Sequence, residues 1–301
     1  MSKILLLMGG SSSEREISLR SGTAVRKALE QVGHEVTTLD TAEPIEDAAF
    51  DDYDAIFPVL HGSGGEDGVL QARLEARGHH NFVGSDAVSS ALCFDKWEYK
   101  QLLDQHGILN ATGAMVSADE IQAHPLTQAP FVLKPSNGGS SVDTFIVRDI
   151  ATVDFSAMEA ACARHKTMLL EALIEGVEIT IGVLDDTALP VIEIIPPVDG
   201  EFDYENKYNG TTQELCPPVN VAADGQAEAQ ALALQIHKLC GCRDFSRTDI
   251  MVAPDNKLYV IETNTIPGMT DESLFPKAAA TAGVPMVDLC DQLVSLAAAR
   301  A

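Results

Sequence analysis

The sequence predicts a protein of mixed α/β and α+β class, with two or three packed domains led by an open parallel α/β domain. Three observations predict it. The 301 residues, 46% of them hydrophobic, are about twice the length of an ordinary domain and can bury a large core. Apolar strands alternate with segments of helical spacing through residues 1–90. Beyond them, strands joined by short turns take over.

Residues 4–8 form an apolar strand that ends at Gly9 and Gly10. The run is too short for a signal h-region and has no small-residue cleavage site, so a buried first strand is expected rather than a leader. A helix follows, with Ile17, Val25, Ala28, Leu29 and Val32 mostly at helical spacing. Ser12 and Ser13 supply capping hydroxyls, and Gly33 ends the helix. Strands at 34–39 and 55–60, a helix over about 68–76 and a strand at 82–84 complete the first unit, 1–90. The second unit, 91–170, has a helical segment at 95–107, strands at 130–134 and 144–147 around a Gly/Ser loop, and a helix at 152–164. Those two strands read as a hairpin. The third, 171–301, starts near Leu169 with the alternating run Glu178 to Val183. It closes on a strand at 249–252, a turn at Pro254-Asp255-Asn256 and a strand at 258–261.

Forty-five acidic against twenty basic side chains give a net charge of −25. Such a field repels nucleic acid and anionic membrane surfaces, and neither is an expected partner. A surface this acidic also suits a saline habitat. No stretch of about 18 apolar residues occurs, so no membrane span is expected. The six cysteines are scattered through a core-rich chain, which points to free thiols and a cytoplasmic location. Cys240 and Cys242 form a C-x-C pair with no second pair at zinc-finger spacing, so they read as structural.

Four segments carry candidate chemistry. In SRTDIMV (246–252) and VIETNTIPGMT (260–270), side-chain alternation puts Arg247 and Asp249 on one face of a strand and Glu262 and Asn264 on one face of its partner. Asp249, Glu262 and Asn264 offer hard oxygens suited to Mg²⁺, and two ions bridging a nucleotide's phosphates are a natural occupancy. Arg247, with no carboxylate assigned to it, is placed to face an oxyanion. FVLKPSNGGSSV (131–142) ends a strand at Lys134 and continues into a loop whose amides and hydroxyls, Ser140 and Ser141 among them, can wrap phosphates. A plain hairpin turn explains that loop equally well. GGSSSEREISLRSG (9–22) and HGSGGEDG (61–68) both follow parallel strands, where open α/β sheets bind ligands. Glu14 there can grip a substrate ammonium with help from His61. Helix capping and an ordinary buried histidine are the alternatives. EFDYENKYNGTTQELCPP (201–218) is polar, rich in tyrosine and irregular, and reads as a lid over a site.

In this order, SSSEREISLRSG, HGSGGEDG, DYENKY, SRTDI and ETNTIPGMTDESL resemble the D-alanine:D-alanine ligase family of the ATP-grasp superfamily over nearly the whole chain. The resemblance implies a three-domain ATP-grasp fold: a substrate-side domain (1–90), a central subdomain (91–170) and a C-terminal subdomain with lid and metal site (171–301). It implies that ATP, with Mg²⁺ or Mn²⁺, activates the carboxylate of one D-alanine for attack by the amine of a second. The product serves peptidoglycan precursor synthesis. Glu14 and His61 match residues that bind the first D-alanine, with Ser140 and Tyr208 hydrogen-bonded around Glu14. Lys96, Lys134 and Lys207 match nucleotide- and phosphate-contacting lysines. Glu178 matches the ribose carboxylate, and Glu171, Ala172 and Leu173 the adenine segment. Arg247 and the Gly268 amide match the oxyanion donors, and Ser273 and Leu274 the receivers of the second D-alanine's carboxylate. Asp249, Glu262 and Asn264 match the metal ligands. A homodimer is also implied.

Three positions depart from the family's usual pattern: Gly138, where many relatives are acidic; Asp143, where many have glycine; and Leu173, often aromatic, which implies weaker ATP binding. D-alanine:D-serine and D-alanine:D-lactate ligases share the fold. Lys207-Tyr208 resembles the dipeptide-forming type rather than the lactate-using one. A catalytically silent nucleotide-binding protein is the reading from a different class, and the set Arg247, Asp249, Glu262 and Asn264 argues against it.

Overall fold

The structure is a computed structural model that describes residues 1–43, 50–138, 143–197 and 212–301. The chain opens with β1 (Lys3–Met8), α1 (Arg15–Gln31), β2 (Glu35–Asp40) and β3 (Ala55–Pro58). These strands form a parallel sheet in the order β2-β1-β3. The unbroken apolar run of β1 follows from its central place. Ile4 and Leu6 enter a core shared with Val25 and Leu29 of α1. Leu5 and Leu7 enter a second core with Ile56 and Phe82. A parallel strand covered on both faces needs apolar side chains in both directions.

Two sequence expectations change here. The strand expected at 82–84 shrinks to a single parallel bridge between Ile56 and Phe82. Gly84 turns the chain away at φ 101°, and its N–H is taken by the Asp244 carboxylate at 2.7 Å. The serines do not cap α1 through their side chains. Glu14 holds the N-cap position, and Ser12 Oγ accepts from its amide at 3.2 Å while donating to the His61 carbonyl at 2.7 Å. The hydroxyl thus ties together two loops at the C-terminal edge of the sheet.

Next come α2 (Val69–Glu75), α3 (Ala87–Phe94) and α4 (Lys96–Gln105). Asp86 caps α3 and Asp95 caps α4, each through its side chain. A four-stranded antiparallel sheet, ordered β4-β7-β5-β6, is built from β4 (Gly113–Val116), β5 (Phe131–Lys134), β6 (Phe145–Val147) and β7 (Met168–Ala172), with α5 (Phe155–His165) packed on it. The residues near Leu169, where the sequence places the start of the third unit, are thus hydrogen-bonded to β4 and β5 in this sheet.

The largest sheet runs β11-β10-β8-β12-β13, with a short β9 on β8. Its strands are β8 (Val177–Leu184), β9 (Thr187–Ala188), β10 (Ile192–Ile195), β11 (Gln213–Leu215), β12 (Phe245–Val252) and β13 (Leu258–Asn264), and α6 (Ala223–Leu239) covers it. The chain ends in α7 (Leu274–Thr281) and α8 (Met286–Ala298). Phe275, Ala279, Leu289 and Leu293 from these helices share one core with Ile4 and Leu6, so the C-terminus closes back onto the first sheet. No helix among the described residues is long and apolar enough to cross a membrane.

Arg300 fastens that closure. Its guanidinium meets both Asp244 carboxylate oxygens at 2.7 Å and donates to the Phe82 carbonyl at 2.6 Å. Asp244 is 5% exposed. Arg300→Ala leaves that carboxylate sheltered without its partner, so we expect a loss of about 3 kcal/mol or more, read as a lower urea midpoint at unchanged slope.

Candidate active site

The site is assembled on the β8-β12-β13 ladder. Arg247 lies opposite Asn264 and Asp249 opposite Glu262, and the register shifts immediately after Asp249. On the other face Thr248 and Thr263 join hydroxyls at 2.9 Å, and the buried Tyr99 hydroxyl meets Thr263 at 2.7 Å. These bonds fix the strands from behind.

Arg247 is not without a carboxylate, as the sequence suggested. Its Nε and Nη2 donate to the two Asp249 oxygens at 3.0 and 2.9 Å. Residues two apart on a strand share a face, and the long guanidinium bridges that spacing. Thr180 of β8 donates to Asp249 Oδ1 at 2.5 Å. Glu262 lies 3.3 Å from the Lys96 ammonium, which also donates to the Gly138 carbonyl at 2.8 Å. Asn264 Oδ1 accepts from the Ile266 amide at 2.8 Å.

A first cavity runs between the two antiparallel sheets, with Lys96, Lys134, Glu171, Leu173, Glu178 and Glu262 among its walls. Glu171 is clamped between two buried lysines, Lys134 at 2.7 Å and Lys100 at 2.9 Å. Lys100 also donates to Asn110 Oδ1 and the Ala111 carbonyl. Burial opposes charge on both partners, yet the mutual attraction outweighs it, holding Glu171 below the usual carboxylate range and Lys134 above the usual lysine range. The amides of Ala172 and Leu173 donate to the Thr112 and Pro130 carbonyls, so neither N–H of that pair is directed at a ligand.

The departures near this cavity have backbone reasons. Gly138 sits at φ 140°, a conformation that side-chain-bearing residues avoid. Asp143 takes the left-handed turn at φ 55°, and its carboxylate is held by Arg164 at 2.6 Å and His165 at 2.8 Å. These two hydrogen bonds keep its pKa low.

A second cavity gathers Glu14, His61, Arg247, Gly268, Ser273 and Leu274. Both cavities are walled by Glu14, Lys96, Gly138 and Glu262, so they meet at one point. Glu14 is 8% exposed, and the backbone of Gly62 packs so close that a Cβ there would lie 2.8 Å from its Oε2. His61 is held through Nε2 by Ser21 and through Nδ1 by the Ile266 carbonyl, both at 3.1 Å. Burial, with some help from Arg247, pushes its pKa down to about 4, so the ring is neutral at pH 7. Ser273 stands at the N-cap of α7, its Oγ bonded to the Thr270 amide at 3.1 Å and hydroxyl at 2.8 Å. Ser140, Ser141, Lys207 and Tyr208, and most of the expected lid, lie outside the described residues.

Sequence reasoning missed Glu66, Lys100 and Thr180. Glu66 stands inside the quoted motif HGSGGEDG and lines the second cavity. It accepts from the Gly62 amide at 2.6 Å, and burial, with the charge of Glu14, raises its pKa to about 8. Relative to its ordinary value of 4.5, the folded protein therefore holds a proton that the unfolded chain releases. The associated stability is complete below about pH 4.5 and is lost as pH rises through about 8. Glu66→Gln should flatten that part of the stability profile, which urea midpoints of both proteins across this range will show.

Two carboxylates and one amide oxygen suit a hard divalent cation. Among the described residues no group of three or more His, Cys, Asp or Glu side chains could hold a metal ion, and Asn264, opposite Arg247, offers an amide oxygen beside Asp249 and Glu262. Asp249 and Glu262 at opposed register positions, beside a cavity carrying Lys96 and Lys134, fit such an ion together with an anionic ligand.

A family model described as D-ala D-ala ligase C-terminus matches residues 102–295. A curated D-alanine--D-alanine ligase of Nitratidesulfovibrio vulgaris (strain DP4) is 40% identical over 298 residues, covering 98% of this chain and 97% of the relative. Among solved structures, the D-alanine--D-alanine ligase of Bacillus anthracis complexed with ATP superposes with a TM-score of 0.83 at 29% identity, covering 99% of this chain and 97% of that one. VanG D-Ala:D-Ser ligase of Enterococcus faecalis superposes with a TM-score of 0.81 at 27% identity, covering 98% and 99%.

Proposed function

Because the chain belongs to the D-alanine:D-alanine ligase family, we propose that it joins two D-alanines at the expense of ATP, a step in peptidoglycan precursor synthesis. The observation that carries the reading is the meeting of two cavities at Glu14, Lys96 and Glu262. One has paired carboxylates and lysines suited to a nucleotide; the other has an ammonium-binding carboxylate. Their junction is where a γ-phosphoryl group and a substrate carboxylate can meet.

In this reading ATP lies in the first cavity, its phosphates near Lys96, Lys134 and Lys207, its ribose near Glu178 and its base along Glu171 to Leu173. The double ion pair of Glu171 supports a further role for that carboxylate, holding Lys134 in place beside the phosphates. Asp249, Glu262 and Asn264 would hold two Mg²⁺ ions, or Mn²⁺, which neutralise phosphate charge when bound. The first D-alanine gives its ammonium to Glu14, beside neutral His61. Its carboxylate oxygen attacks the γ-phosphorus, ADP leaves, and an acyl phosphate forms. The amine of the second D-alanine adds to that carbonyl, and inorganic phosphate leaves as the peptide bond forms. Arg247 and the Gly268 amide stabilise the oxyanion between these events. Ser273 and Leu274, at the start of α7, receive the second carboxylate, helped by the helix N-terminus. The family resemblance gives Ser140, Ser141 and Tyr208, outside the described residues, roles toward Glu14 and the phosphates. We further propose the division into units 1–90, 91–170 and 171–301, a cytoplasmic location and a homodimer.

The test supplies purified protein with Mg²⁺-ATP and D-alanine, alone or against D-serine, D-lactate or L-alanine, and identifies products by mass spectrometry. D-alanyl-D-alanine should dominate every mixture. Phosphate release that does not depend on D-alanine would remove the ligase reading, and a mixed product dominated by D-serine would move the chain to the D-serine type.

A further inference from the structure

Cys93, distant in sequence, converges in one core with the C-x-C pair of Cys240 and Cys242. Cys93 stands near the end of α3, Cys240 caps the C-terminus of α6, and Cys242 precedes β12. All three are buried, at 5%, 4% and 8% exposure. Cys93 Sγ and Cys242 Sγ lie 3.9 Å apart, and Cys240 belongs to the same core cluster. Cys162 and Cys290 belong to other cores.

We propose that Cys93 and Cys242 form an oxidation site, converted by a small two-electron oxidant of the peroxide or diazene class into a disulfide that ties α3 to the turn before β12. A lone buried cysteine is inert, but two thiols 3.9 Å apart supply both partners of a disulfide. The neighbouring thiols of Cys240 and Cys93, together with nearby His237, hold the pKa of Cys242 below the usual thiol range. Its sulfur attacks one peroxide oxygen, the O–O bond breaks, and a sulfenic acid and water result. The Cys93 sulfur then displaces hydroxide from that sulfenic acid, which takes up the Cys93 proton to leave as a second water. Two thiols and one peroxide thus give one disulfide and two waters. Closing 3.9 Å to a bond of about 2.05 Å requires about 2 Å of sulfur movement.

The link bears on the candidate site through position. Cys93 lines the second cavity beside Phe94 and Lys96. Asp95, two residues after Cys93, caps α4, and Lys96 pairs with Glu262. Tension on the end of α3 therefore falls on the wall shared by the two cavities.

The experiment treats the reduced full-length protein with hydrogen peroxide or diamide under native conditions, alkylates it after denaturation, and maps the peptides. The expected result is a loss of two alkylatable thiols, a linked peptide pair containing Cys93 and Cys242, and full reversal by dithiothreitol. Cys240→Ser should keep the link, and Cys242→Ser should lose it. A Cys240–Cys242 link, a sulfenic acid without cross-linking, or retention of all the thiols overturns the proposal, and the wild-type map decides this even if a variant fails to fold. ATP-dependent turnover should fall as the link forms and return on reduction. Unchanged turnover at full cross-linking overturns the connection to the site but leaves the ligase reading intact.

Discussion

Arg247→Ala is expected to lower kcat by at least about 10²- to 10³-fold, the equivalent of roughly 2.7 to 4 kcal/mol for the loss of one oxyanion donor. Two effects combine in this chain. The guanidinium is removed from the cavity it shares with Gly268, and Asp249 loses both of its arginine hydrogen bonds. Thr180 remains bonded to Asp249, so the strand pair keeps an anchor and the fold should survive. Arg247→Lys separates the two effects. It keeps a charge near Asp249 but loses the fork that holds both oxygens, so it should recover only part of the lost rate. Steady-state kinetics with ATP and D-alanine varied separately provide the check. A loss confined to the ATP KM, with kcat unchanged, would assign Arg247 to nucleotide binding.

Glu171→Gln is expected to cost about 3 to 5 kcal/mol of folding stability, because it leaves two buried ammonium groups facing each other without their shared carboxylate. Lys100 and Lys134 are each at most 11% exposed at the side chain, so water cannot replace what is lost. Lys134→Met should behave differently. Glu171 then keeps Lys100, so the stability loss is smaller while the ATP KM rises. The contrast between the two substitutions, measured by urea unfolding and by initial rates, distinguishes a structural from a phosphate-binding role for each member of the triad. The wild-type contribution of Glu171 also has a defined pH dependence. Its carboxyl is held below the ordinary 4.5, so its stabilisation is present above that value and is lost as pH falls through the lowered folded value.

Local pattern and distant pairing were not equally legible in the sequence. The run 4–8 could be read as a buried parallel strand because it carries no polar interruption, and β1 is covered on both faces. The β12-β13 pair was legible because alternation and a tight turn determine which side chains face together. Helix α6 escaped notice because its buried side is largely alanine: Ala229 and Ala233 are at 0% exposure, and small residues blur an apolar stripe. Helix α8 gained no assignment because its partners, α1 and β3, lie at the other end of the chain, and α7 because its partner β8 lies far back along it. The same limit applied to the site. Motifs following strand ends located Glu14 and His61, but no spacing rule links Lys100 to Glu171 or Cys93 to Cys242. Arg247 was read without its carboxylate although Asp249 is two residues away, since alternation gives the shared face but not the reach of the guanidinium. Glu66 was passed over because an acidic residue in a glycine-rich loop ordinarily stays in solvent, whereas this one turns inward onto Gly62.

The central claim is that a D-alanine carboxylate is activated by phosphoryl transfer where the two cavities meet. Its most direct test uses D-alanine labelled with ¹⁸O in both carboxylate oxygens, together with Mg²⁺-ATP, and measures the isotope content of the released phosphate by mass spectrometry. An acyl phosphate requires one labelled oxygen to pass into phosphate for every dipeptide formed. Dipeptide accompanied by unlabelled phosphate, or phosphate released without dipeptide, would contradict the account.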